Sequence, residues 1–280
     1  FIPDSNGVYE FIFKVTDQHG ATDYDTTYYT ITINSPPTVS GPADKNVFVC
    51  SLPSTICVKP FTFSDPNNNI QFKTTNKGTL SGDSVCYNAT TAGPDTIIVT
   101  VTDSCGAFDK DTVIVTKTIN SPPDVTGPAD KNVFLCSCNE AKVIVLKPFS
   151  FTDPNNNVQS KTTNKGTLSG DSVYYTNTSC NPDTIIVTVT DSCGAFDKDT
   201  VIVTKTLNSP PVVTGPADKA VALCSLPATI CVKPFTFSDP DNNIQSKTTN
   251  KGTLSGDSVY YTATTSGPDT IIVTVTDSCG

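Results

Sequence analysis

The chain has 280 residues, a net charge of −9, and lysine at all 18 of its basic positions. An acidic chain without arginine lacks the bidentate donors that base and phosphate recognition lean on, which excludes a nucleic-acid binder. No apolar run reaches the roughly 18–20 residues of a membrane-crossing helix. A single histidine, His19, beside 11 cysteines provides no mixed Cys/His zinc set.

Glu10 and Glu140 are the only glutamates, and every other acid is aspartate. Aspartate belongs to turns and glutamate to helices, so the skew favours strands and loops. Many cysteines without metal-ligand spacing point to disulfides, an oxidising compartment and an extracellular location. The chain begins with Phe1 and contains no methionine, so a window onto a longer protein is expected.

In chain order, residues 1–34 come first. "FKVTDQHGATDYDTTYYTITIN" matches the later "VTVTDSCGAFDKDTVIVTKTIN", so this segment is expected to be the tail of a divergent repeat. Ser-Pro-Pro then recurs at Ser35, Ser121 and Ser209. The expected units are 35–120, 121–208 and a third at 209–280 that lacks its last strand. "TVTDSCGAFDKDTVIVTKT" stands letter for letter at 100–118 and at 188–206. The short, stiff Ser-Pro-Pro joints favour an extended rod of units placed head to tail.

Within a unit the hydrophobic period is two. "DTIIVTVTDS" and "DKDTVIVTKT" alternate apolar residues with threonine, as half-buried antiparallel strands do. For the first complete unit the reading predicts A near Asn46–Cys50, B at Cys57–Phe63, C at Ile70–Thr75 and D near Gly78–Leu80. E is expected at Ser84–Asn88, F at Thr96–Thr102 and G at Asp111–Thr118. Seven short strands and no helix make the fold class all-β, a tandem of immunoglobulin-like β-sandwiches.

"FTFSDPNNNIQFKTTN…GPDTIIVTVTDSCGAFDKDTVIVTKT" resembles the bacterial immunoglobulin-like and cadherin-like surface repeats. These carry a DPDGD-type loop followed by alternating strands, and "SDPDNN" at Ser238–Asn243 comes nearest. The resemblance implies a cell-surface role in adhesins, stalks, surface layers or filaments. The chain departs from that family in its many cysteines and in the uniformity of its units.

The predicted topology gathers Asp65, Asn67, Asn69, Asp103 and Asp109 at one end of the first complete unit. It gathers Asp153, Asn155, Asn157, Asp191 and Asp197 at the same end of the second. Hard oxygen donors of this kind suit Ca²⁺, and the resemblance points the same way. The alternative is that these residues only form Asx turns. No other cofactor is expected. Catalysis has nothing to build on, since His19 lies in a turn and pairs such as Asp109/Asp111 recur with the scaffold, so no enzyme is expected. Asn88 and Asn177 begin sequons.

Two cysteine columns recur, Cys50/Cys136/Cys224 after strand A and Cys105/Cys193/Cys279 after strand F. Strand F puts the columns about 30 Å apart within a unit, far beyond disulfide reach. The expectation is therefore pairing across joints, Cys50–Cys193 and Cys136–Cys279. Cys57–Cys86 and Cys138–Cys180 are expected within units, with Cys231 left over opposite Tyr260. The alternative bridges Cys50–Cys57 and Cys224–Cys231 locally.

These features suit a structural extracellular fibre whose partners are neighbouring repeats or copies of the chain. The alternatives are the stalk of an adhesin and accessory modules of a secreted polysaccharide-degrading enzyme. An open edge on the third unit could also take a strand such as Asp25–Ile33 from a neighbouring chain.

Overall fold

The computed structural model describes residues 1–280. The structure is all-β and packs as two compact bodies, Phe1–Ser121 and Pro122–Gly280. Each body joins one complete sandwich to one incomplete unit.

The first body opens with a hairpin of β1 (Gly7–Thr16) and β2 (Thr22–Ile31), paired in unbroken register from Gly7↔Ile31 to Thr16↔Thr22. Its Phe11 ring packs edge-on against Phe1 and Tyr29. The sandwich that follows contains β3 (Thr38–Ser40), β4 (Lys45–Val49), β5 (Ser54–Val58), β6 (Thr62–Ser64) and β7 (Ile70–Thr75). It is completed by β8 (Thr79–Ser81), β9 (Ser84–Ala89), β10 (Asp95–Asp103) and β11 (Phe108–Ile119). One sheet has the order β4-β11-β10-β7, the facing one β5-β9-β8, and β3 pairs with β6.

Two predicted strands are corrected. Strand A is two pieces that serve different sheets: β3 runs antiparallel to β6, and β4 runs parallel to β11. Strand B is likewise β5 and β6, interrupted at Lys59-Pro60, where the proline cannot donate to a ladder. The others fall within a few residues of their predicted bounds.

Alternation determines what is buried. Ile97, Val99 and Val101 of β10 and Val113 and Val115 of β11 point inward onto Ile56, Val58, Val85 and Tyr87, while Ile98, Thr100 and Ile114 between them lie on the outer face. Each fully buried branched side chain contributes about 1.5–3 kcal/mol. Gly78 (φ +73°) turns the chain into β8, and a Cβ there would sit 2.3 Å from the Cys86 carbonyl oxygen, so only glycine fits.

The second body repeats the design with β12 (Asp124–Thr126), β13 (Lys131–Leu135), β14 (Val143–Leu146), β15 (Ser150–Thr152) and β16 (Val158–Thr163). Then come β17 (Thr167–Ser169), β18 (Ser172–Thr176), β19 (Asp183–Asp191) and β20 (Phe196–Leu207). The sheet order β13-β20-β19-β16 and the core of Ile185, Val187, Val189, Val201 and Val203 match the first sandwich.

Residues 209–280 supply β21 (Val212–Thr214), β22 (Ala228–Val232), β23 (Thr236–Ser238), β24 (Ile244–Thr249), β25 (Thr253–Ser255), β26 (Ser258–Ala263) and β27 (Val273–Asp277). Here β27 pairs only with β24. Residues 219–223, which match β4 and β13 in sequence, form no strand. The reason is visible in the complete sandwiches, where that segment is held by parallel pairing to β11 or β20.

Candidate functional site

The site begins with the loop between β6 and β7. In "DPNNN", the Asp65 side chain accepts the Asn67 N–H at 2.7 Å and its carbonyl accepts the Asn68 N–H at 3.1 Å. Asn68 adopts φ 53°, a left-handed position that asparagine tolerates better than other side chains. The turn after β10 is held by Asp103, whose Oδ1 accepts the Cys105 and Ala107 N–H groups at 2.9 Å each. The Ser104 N–H donates to the Asn69 carbonyl at 3.0 Å and Asn69 Nδ2 donates to Ser104 Oγ at 3.2 Å, which brings the two loops together.

The residue that closes this end comes from the joint. Asn34, immediately before Ser35-Pro36-Pro37, donates its amide to Asp103 Oδ2 at 2.7 Å. Its Oδ1 accepts from Asn69 Nδ2 at 2.8 Å, and the Ser35 N–H donates to Asn67 Oδ1 at 2.7 Å. The Asn34 hydrogen bond, opposed by burial and helped by the turn amides, holds the Asp103 carboxyl below its ordinary pKa.

The third unit repeats the arrangement. Asn208 donates to Asp277 Oδ2 at 2.7 Å and accepts from Asn243 at 2.8 Å, while the Ser209 N–H meets Asp241 Oδ2 at 2.6 Å. The Asp277 carboxyl is lowered by its Asn208 partner in the same way. In the second sandwich Asp153 accepts the Asn155 N–H at 2.7 Å. Asp191 accepts the Cys193 and Ala195 N–H groups, and Asn157 donates to Ser192 Oγ.

Asp65, Asn67, Asn69 and Asp103 therefore lie together, but Asp109 is turned away. Its Oδ2 accepts the Val39 N–H at 2.9 Å, as Asp197 accepts that of Val125 at 3.0 Å. As arranged, the cluster does not fit a Ca²⁺ shell. A cation needs oxygens converging on it, whereas Asp103 aims both of its oxygens at N–H donors and an amide NH₂ lies where the charge would sit.

A second constellation lies at the opposite end of β10. Asp95 is clamped by Lys77 and by Lys117, whose side chain is fully buried. Burial pushes the Asp95 carboxyl up, but its bonds to Lys117 and Lys77, with the Tyr87 hydroxyl nearby, outweigh it and bring the pKa down to about 2. Asp183 repeats the clamp with Lys165 and with Lys205 at 2.8 Å. In the third unit Asp269 meets only Lys251 and is exposed.

Cys57 and Cys86 face each other across β5 and β9 and are bridged, with Cα atoms 4.1 Å apart. Cys138–Cys180 ties two loops of the second sandwich at 4.8 Å. Cys136, which follows β13, is bridged to Cys279, which follows β27, at 5.2 Å. Cys105, Cys224 and Cys231 are free and exposed, so the local Cys224–Cys231 bridge is absent, and Cys231 lies opposite Tyr260. Asn88 is exposed. Asn177 is 1 % exposed and donates to the Glu140 carbonyl, which closes that sequon to a sugar.

No protein-family model and no curated protein sequence matches the chain. Solved structures do resemble it. The cis-dimer structure of protocadherin gammaB7 EC3-6 is 15% identical over 96% of this chain and 81% of its own, with a TM-score of 0.41. Sidekick-1 immunoglobulin domains 1-5 are 10% identical over 99% and 67%, at 0.36. The fibronectin(III)-like modules of Clostridium thermocellum CbhA are 12% identical over 61% and 94%, at 0.28. With overlaps this low, the assignment to immunoglobulin-like and cadherin-like tandem sandwiches rests on the strand order itself.

Proposed function

We propose that this chain is a structural segment of an extracellular fibre, made of immunoglobulin-like repeats stapled to one another across their joints. The repeats are 1–34, 35–120, 121–208 and 209–280, the partners are neighbouring repeats or copies of the chain, and the segment performs no catalysis. The observation that carries the reading is Cys136–Cys279, which bridges one repeat to the next over 143 residues of sequence. A staple placed there transmits load along the chain without passing it through a hydrogen-bonded strand. Cys50 and Cys193 stand in the same two columns, and the proposal pairs them in the same way one joint earlier. The half-buried joint asparagines and the threonine-faced strands support the same role, since both suit a part whose task is length and stiffness.

Electron microscopy of the native, unreduced protein tests this. Filaments with an axial period of one or two repeats are expected. Separate projecting rods that end in a different domain would overturn the fibre reading and identify an adhesin stalk.

A further inference from the structure

Cys136 faces three cysteines whose surroundings are spelled alike. "TVTDSCG" occurs at 100–106, 188–194 and 274–280, where it carries Cys105, Cys193 and Cys279. Local sequence therefore does not tell them apart. Loop entropy favours the nearer ones. Cys279 lies 143 residues from Cys136, and Cys193 less than half as far, so closure onto Cys193 is about fourfold easier in the unfolded chain. Yet the bond goes to Cys279. The choice is made by folded structure at the joint.

One residue there is bonded to both sides of the bridge. Asn208 follows β20, and its backbone N–H donates to the Leu135 carbonyl at 2.9 Å, which extends the parallel β13–β20 ladder by one step. Leu135 is fully buried and immediately precedes Cys136. The Asn208 side chain reaches the other way and donates to Asp277 Oδ2 at 2.7 Å. Asp277 is 2% exposed, and its Oδ1 accepts the Cys279 N–H at 2.8 Å. Asn208 thus connects the neighbour of one cysteine to the turn that presents the other. The two Cα atoms stand 5.2 Å apart, within disulfide reach.

This lock forms without a disulfide. Asn34 makes the same bonds to Asp103 and Asn69, at the same 2.7 and 2.8 Å, beside Cys105, which is unbridged. The backbone half recurs as well, since the Asn120 N–H donates to the Val49 carbonyl at 3.0 Å, next to Cys50.

We infer that Asn208 is a positioning residue that selects the partner of Cys136: it docks the following repeat before the bridge closes and brings Cys279, not Cys193, to the end of β13. The inference rests on the joint staple of the proposed fibre and names what directs its formation. The oxidant is a small disulfide such as oxidised glutathione. The exposed Cys136, as thiolate, attacks one glutathione sulfur and releases a glutathione thiolate. The docked Cys279 thiolate then attacks the Cys136 sulfur of the mixed disulfide and releases the second. Two electrons pass to the glutathione pair, which also takes up the two thiol protons.

The test refolds the fully reduced 280-residue chain from urea in a glutathione redox buffer. Peptide mapping without reductant, with fragmentation to assign each sulfur, then measures the ratio of Cys136–Cys279 to Cys136–Cys193. Cys136–Cys279 should dominate in the native chain. Asn208→Ala should lower the ratio about tenfold or more, as loss of a hydrogen bond to a charged group implies. Asn34→Ala removes the same lock from the other body and should leave the ratio unchanged. Asn208→Asp combined with Asp277→Asn exchanges donor and acceptor and should restore it, which a mere folding defect at residue 208 would not. An unchanged ratio in Asn208→Ala, an equal fall in Asn34→Ala, or no recovery in the exchanged pair would overturn the inference. Each of these would leave the fibre reading to microscopy, because the staple can form without being selected in this way.

Discussion

Asp95 shows how a single side chain is made costly to disturb. Its carboxyl has a pKa of about 2 in the fold, against an ordinary value near 4. A lowered pKa means the stabilisation is fully present above about pH 4 and is lost as pH falls towards 2. The urea midpoint should therefore drop across that window, and less steeply in an Asp95→Asn chain. Lys117→Ala leaves the buried carboxylate with a single lysine and should cost about 3–5 kcal/mol by urea unfolding. Asp95→Asn combined with Lys117→Met removes the charge pair together and should cost much less. Asn34 carries a different risk. Asn34→Ala leaves Asp103 short of a donor and should lower stability by about 1–3 kcal/mol. Asn34→Asp places two carboxylates in contact, so Ca²⁺ should stabilise that variant while leaving the melting temperature of the native chain unchanged. The acidic loops were legible in the sequence because Asp and Asn recur there. The lock itself was missed, although an asparagine stands before every Ser-Pro-Pro, at Asn34, Asn120 and Asn208. An amide carries no signal of its own until its partners are known.

Strands β10 and β11 could be read directly from their sequence, because a period of two over nine or more residues admits no helix. The division of strand A could not, because β3 and β4 are short and their partners β6 and β11 lie far along the chain. Their assignment to different sheets is a tertiary decision. The staple at Cys136–Cys279 belongs to this scale too. It constrains a long stretch of unfolded chain, so Cys136→Ser with Cys279→Ser should destabilise the second body by about 2–5 kcal/mol. The loss should be concentrated in residues 209–280, which lack a closed core, and hydrogen exchange would show it as faster exchange at β24 and β27. Equal loss in the second sandwich would mean that the bond supports both partners alike.

At the scale of the whole molecule, unreduced protein treated with a thiol reagent after unfolding should label three cysteines: Cys105, Cys224 and Cys231. Labelling at Cys50 or Cys193 would remove the staple proposed for the first joint. The uniformity of the repeats has a further consequence, and it concerns how the chain reaches its fold. The stretch containing most of β11 is spelled identically to that containing most of β20, and β10 is identical to β19. An unfolded chain therefore offers each central strand two closing partners with the same side chains. Only the shorter loop favours the correct one, and loop entropy changes by just about 0.6 kcal/mol per doubling of length. Refolding from denaturant should accordingly divide between the native chain and a strand-exchanged form, at any protein concentration. Synthesis from the N-terminus avoids the choice, because β10 and β11 can pair before β19 and β20 exist.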